Sequence, residues 1–101
     1  MDLVITVKSI RGRCPVYQVG DRIVLREGYR LDRGASGAVC LHSLASVMPY
    51  YNAVFRGVDP RELGVADREG VACVQCLDPC EETGGGTVVL RLERQEAQDW
   101  R

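Results

Sequence analysis

The chain has 101 residues, 46% of them apolar, 27% charged and 6% aromatic, which fits one domain with one modest core and excludes a disordered segment, since no block of like charges occurs. Thirteen Lys and Arg against fourteen Asp and Glu leave a formal charge of −1, too little for strong attraction to nucleic acid or acidic lipid. Apolar runs such as 71–74 fall far short of the roughly 18 residues of a membrane span, and the opening 1–7 carries Asp2 and lacks the basic start and length of a secretory signal. The expectation is a cytoplasmic protein without a membrane or nucleic-acid partner. Thiols stay reduced there, so five cysteines point to metal or reactive chemistry before a disulfide frame.

In chain order, Leu3, Ile5 and Val7 alternate with Val4, Thr6 and Lys8, the period of a half-buried strand. The stretch 11–15 breaks it, because Gly12 is permissive and Pro15 lacks a donor. After a turn at Gly20 and Asp21, a second strand sets Ile23 and Leu25 on one face against Arg22, Val24 and Arg26. Glu27 and Gly28 close it, and 31–37 reads as a polar loop. The longest periodic stretch is 39–56. Leu41, Leu44, Met48, Tyr51 and Phe55 fall at steps of three and four, and Cys40, Val47 and Val54 widen the apolar stripe of a helix. Pro49 cannot donate to the carbonyl of Ala45, which predicts a kink there or two short helices.

Beyond Gly57, the run Asp59, Pro60, Arg61, Glu62, Leu63, Gly64 has the grammar of a single helical turn, with a cap, a first-position proline and a glycine stop. Residues 67–70 read as a turn, 71–76 as a short strand, 77–86 as a loop and 87–93 as a strand with Val88, Leu90 and Leu92 inward. Residues 95–101 are a polar tail holding Trp100, read as a frayed helix or as the contact of a homo-oligomer. These elements predict an α+β fold: a small, largely antiparallel four-stranded sheet covered by one kinked or broken helix, spanning 1–94 as a single domain before the tail. Gly84, Gly85 and Gly86 form a loop tip without the Gly-Lys-Ser/Thr ending of a phosphate loop.

Cys73, Cys76 and Cys80 form a C-x2-C-x3-C cluster. Two thiolates three residues apart chelate one ion where the chain between them turns, and a third four residues later completes a face. Cys14 or Cys40 can supply a fourth sulfur, or His42 a nitrogen. Zinc takes four such ligands in a tetrahedron, and iron–sulfur clusters also favour thiolates. Two geometric conditions attach. If 71–76 is fully extended, Cys73 and Cys76 project to opposite faces and share no metal. On a continuous helix Cys40 and His42 point about 200° apart, so both reach one ion only if the helix starts after Cys40.

That same start would place Cys40 where free N–H groups favour a thiolate, making it the candidate reactive thiol; otherwise Cys40 belongs to the apolar row with Val47 and Val54. Reduced thiols packed as small apolar side chains are the competing account of the whole set, as a solvated surface residue is for His42 and a turn former for Asp78. No serine elbow, His-Glu-x-x-His or paired-carboxylate signature occurs.

The run from Ile5-Thr6-Val7 through Gly12-Arg13-Cys14-Pro15, then Val19-Gly20-Asp21, Cys40-Leu41-His42-Ser43-Leu44 with Pro49-Tyr50, and Cys76-Leu77-Asp78-Pro79 before 88–92 resembles a TIGR family of short prokaryotic proteins with no assigned activity. The resemblance implies that Cys14, Cys40 and one cysteine of the last cluster are recurrent positions. The family pattern there is Ala-Cys-Pro-Asp-Pro; Ala72-Cys73 and Cys76-x-Asp78-Pro79 each match half of it, and Cys80 is additional. The reading favoured by the residues is a small non-enzymatic metal-binding protein whose ligands come from Cys14, Cys40, Cys73, Cys76 and Cys80, with zinc ahead of an iron–sulfur cluster. The alternatives are a thiol redox or sulfur-handling protein with Cys40 attacking, and an oligomeric adaptor with core cysteines only.

Overall fold

A computed structural model describes residues 1–100. Among them, five strands and three short helices occur: β1 (Asp2–Gly12), β2 (Arg22–Arg26), β3 (Arg30–Leu31), α1 (Leu41–Val47), α2 (Tyr51–Phe55), α3 (Pro60–Leu63), β4 (Ala72–Gln75) and β5 (Gly86–Gln95). The strands form one antiparallel sheet in the order β3-β2-β1-β5-β4. This corrects the predicted four-stranded sheet covered by one kinked or broken helix: the sheet has five strands, and three short helices accompany it. The fifth strand, β3, is two residues long, and both are exposed, so it leaves no hydrophobic alternation to read. Its hairpin is made instead by the backbone of the preceding turn, where Glu27 and Gly28 both adopt positive φ (58° and 86°), as tight hairpin turns demand.

The helical stretch divides around Pro49, which lies between α1 and α2 and cannot donate to a preceding turn. The turn at Asp59 is a helix in its own right: the Asp59 side chain accepts from Arg61 N–H at 2.9 Å, Pro60 opens the turn, and Gly64 closes it at φ 76°.

β1 and β5 are the long central pair, joined from Asp2↔Gln95 to Gly12↔Gly86 with a register shift between Val7 and Ser9. One sheet face sets Leu3, Ile5, Val7, Ile23, Leu90 and Leu92 against Val47, Val54 and Tyr17 in a continuous core. Full burial of side chains of this size contributes roughly 1.5–3 kcal/mol each. On the opposite face Val4 and Val24 are covered by Trp100, only 5% exposed. Residues after β5 thus return across the sheet, and the Trp100 indole N–H donates to buried Asp2 at 2.9 Å. Among the described residues no helix is long and apolar enough to cross a membrane.

Candidate functional site

Three loops meet at one end of the sheet. Cys14 follows β1 and is tied to the start of β5 by the bond from Arg13 N–H to the Gly85 carbonyl, 3.1 Å. Pro15 then turns the chain so that Tyr17 N–H donates to Cys14 Sγ at 3.3 Å. Cys76 lies just past β4; its N–H donates to the Val88 carbonyl at 2.9 Å, and its sulfur accepts from Val88 N–H at 3.2 Å while donating to the Gly86 carbonyl at 3.6 Å. Cys40 immediately precedes α1 with extended backbone, φ −89° and ψ 130°.

A closed ring of hydrogen bonds fixes Cys40. Its N–H donates to the Tyr17 hydroxyl at 2.8 Å, and its carbonyl accepts from Ser43 Oγ at 2.8 Å. Ser43 has one proton and spends it there, so Tyr17 must donate to Ser43 Oγ across their 2.7 Å contact. Ser43 is fully buried and Tyr17 nearly so. Neither residue is singled out as part of a site in the sequence; the available signals are Tyr17 three residues beyond Cys14 and Ser43 three residues beyond Cys40.

Cys14, Tyr17, Cys40, His42, Cys76 and Asp78 all line one partly open cavity of about 230 Å³. That is a little below the roughly 300–1,000 Å³ of sites for drug-sized ligands. Two wider spaces nearby are open surface grooves, one of 530 Å³ bordered by Cys73 and Leu77 and one of 540 Å³ bordered by Ile10 and Cys14. The cavity joins walls rather than a finished coordination sphere: among the described residues no three His, Cys, Asp or Glu side chains form a group that could hold a metal ion as they stand. Closing on an ion would require these side chains to move from the positions they hold.

Cys73 and Cys80 lie outside this cavity. β4 is extended through Gln75, so the alternation of a strand sends Cys73 away from Cys76. Cys73 pairs with Arg91 across the sheet and neighbours Lys8 and Asp67; burial pushes its thiol up, and the two cations offset this only in part. Cys80 is buried, with its sulfur donating to the carbonyls of Arg11 at 3.5 Å and Gly85 at 3.7 Å. A Cβ at Gly12 would come within 2.7 Å of that sulfur, so Cys80 plugs the junction of β1 and the 78–86 loop. The C-x2-C-x3-C spacing is thus shared among three surroundings.

The Asp78 carboxylate organises the same loop. Its Oδ1 accepts from Cys80 N–H at 2.9 Å and from the Thr83 hydroxyl, and its carbonyl accepts from Thr87 Oγ1 at 2.6 Å. The Thr83 bond, the amides of Cys80 and Gly86 and the nearby His42 hold its carboxyl below the usual carboxylate range. α1, which Cys40 precedes, is seven residues long, so little macrodipole acts on that thiol. Compared with family models, with curated proteins and with solved structures, the chain finds no match in any of the three.

Proposed function

We propose that this protein is a non-enzymatic metal carrier or store that holds one thiophilic ion, zinc by preference, through the thiolates of Cys14, Cys40 and Cys76. The observation that carries the reading is that cysteines from three stretches far apart in sequence border one small cavity. Two of them already accept backbone N–H bonds, Cys14 from Tyr17 and Cys76 from Val88, a type of support that orients metal ligands. Iron–sulfur clusters are commonly held by four cysteines; with Cys73 and Cys80 facing elsewhere, a single ion fits the donor set better. Binding displaces the thiol protons, including the one Cys76 directs at Gly86.

The test is elemental analysis of untagged protein purified with reductant and without chelator, followed by zinc titration against a chromogenic competitor. One ion per chain is expected, with Cys14→Ser, Cys40→Ser and Cys76→Ser each losing most of the affinity and Cys73→Ser keeping it. A folded chain that takes up no zinc, or one in which Cys73→Ser is as damaging as Cys14→Ser, overturns the assignment.

A further inference from the structure

A helix lying on a sheet normally turns its larger apolar residues inward and its polar ones to water. α1 departs from this. Its buried residues are Ser43 and Val47, while Leu41 is 77% exposed and Met48, its C-cap, 54%. Leu41, Ala45 and Met48 follow at steps of four and three, so they share the outer face, and Ala45 is exposed between the two larger side chains. Ala45 also borders the open groove of about 530 Å³ between this helix and β4, together with Pro49, Tyr50, Val74 and Leu77. Leu77 is itself 63% exposed. Contiguous exposed apolar surface of this kind marks a place where another molecule docks.

Charge identifies the occupant. The chain is 27% charged, yet residues 34–55 hold no Asp, Glu, Lys or Arg, and neither does the lining of the groove. Other strongly exposed apolar residues stand among charges: Tyr29 and Leu31 flank Arg30, and Val19 is two residues from Asp21. A charged partner finds no countercharge on the α1 face, so the occupant is neutral and apolar, as the centres of protein interfaces are. We propose that it is a second copy of the chain, docked through the same face with the two α1 helices antiparallel and crossing at Ala45. In a two-fold contact each residue near the axis meets its own copy, so a charge there would meet its like, and this face has none to repel. The spacing is self-complementary too. With Ala45 on the axis, Leu41 of one copy lies beside Met48 of the other, and the small central residue lets the helices approach. Trp100, the residue expected to make such a contact, is instead buried and bonded to Asp2. A standard interface covers roughly 800 Å² per partner, which one seven-residue helix approaches only with the groove beside it, so the dimer is weak and reversible.

Sedimentation equilibrium of the full chain tests this, with reductant and chelator present so that neither disulfides nor metal contribute. A reversible monomer–dimer equilibrium in the micromolar range is expected, and added salt should not weaken it, since no ion pair is there to be screened. Ala45→Glu sets two like charges face to face on the axis and should weaken association by about tenfold or more. Leu41→Ser and Met48→Ser should weaken it as well, and Tyr29→Ser, an exposed apolar position in the β2–β3 turn, should leave it unchanged. Each substituted side chain is exposed, so urea unfolding of the dilute variants should match that of the native chain. A chain that stays monomeric up to millimolar concentration, or a dimer that a folded Ala45→Glu or Met48→Ser chain forms as tightly as the native one, overturns the proposal. Neither outcome bears on the three-thiolate site, which zinc titration decides separately.

Discussion

Tyr17 sits in a loop, yet its hydroxyl serves two partners at once, accepting from Cys40 N–H and donating to Ser43. Replacing it with Phe leaves a backbone donor without its partner in a part-buried place, which costs about 1–3 kcal/mol. For a domain near this length each kcal/mol lowers the melting temperature by about 4–8 °C. Ser43→Ala removes a donor to Cys40, whose carbonyl still accepts from Leu44 N–H, but it leaves the buried Tyr17 hydroxyl proton without its acceptor, so its loss should be of the same order, about 1–3 kcal/mol. Because both belong to one ring, the double variant should lose less than the sum of the two. Urea unfolding of the three variants decides: strictly additive losses would mean the ring is not a unit. The cysteines show how far residue identity alone can be read. Cys14, Cys40 and Cys76 flank predicted elements, so their convergence was open to a topological reading. The separation of Cys73 from Cys76 is what the extended reading of 71–76 already carried, and β4, extended from Ala72 to Gln75, has neither the early end nor the bulge that a shared metal needed.

At the scale of elements, legibility followed the strength of the local signal. α3 was fully written in its cap, proline and glycine, since each acts within one turn. The division around Pro49 followed from a missing donor. β3 was not legible, because its two exposed residues join the sheet only through the turn before them. Gly28 makes that turn possible twice over, with φ 86° and with room for no side chain, a Cβ there falling 2.4 Å from Phe55 Cγ of α2. Gly28→Ala should therefore strain the β2–β3 turn and push α2 off the sheet together, at a cost above the 1–3 kcal/mol of a single unfavourable backbone conformation. Gly20→Ala is the control: its φ is 94° but nothing lies within 4 Å of a Cβ, so it pays for conformation alone. Chemical denaturation that finds the two equally destabilised would show that the Phe55 contact carries no weight.

At the scale of the whole molecule, the two ends of the described chain are joined through one buried carboxylate. Asp2 is 1% exposed and accepts from the Trp100 indole at 2.9 Å, from Arg26 at 2.9 Å and from Glu27 N–H at 3.1 Å. Arg26 also reaches Asp32 at 2.8 Å and the Gln98 carbonyl at 2.7 Å, so the network ties β1, β2, the 32–35 loop and the residues after β5. Burial alone would raise the Asp2 carboxyl, but the bonds from Trp100, Glu27 and Arg26 together outweigh it and hold the group below its ordinary value. The sign follows directly. A carboxyl depressed in the folded state binds fewer protons there than in the unfolded chain, so its contribution is complete above the unfolded value, near 3.9, and is lost as pH falls through the lower folded one. Asp67 and Asp78 are depressed too, so the chain as a whole should be acid-labile, and the Asp2 share can be isolated. Asp2→Asn should destabilise the protein at neutral pH and flatten its loss of stability toward acid, bringing the two proteins closer as pH falls. Trp100 fluorescence reports the same event locally, since the indole loses its acceptor and its cover over Val4 and Val24. Parallel stability curves for native chain and Asp2→Asn across the acid range would mean that this carboxylate does not hold the two ends together.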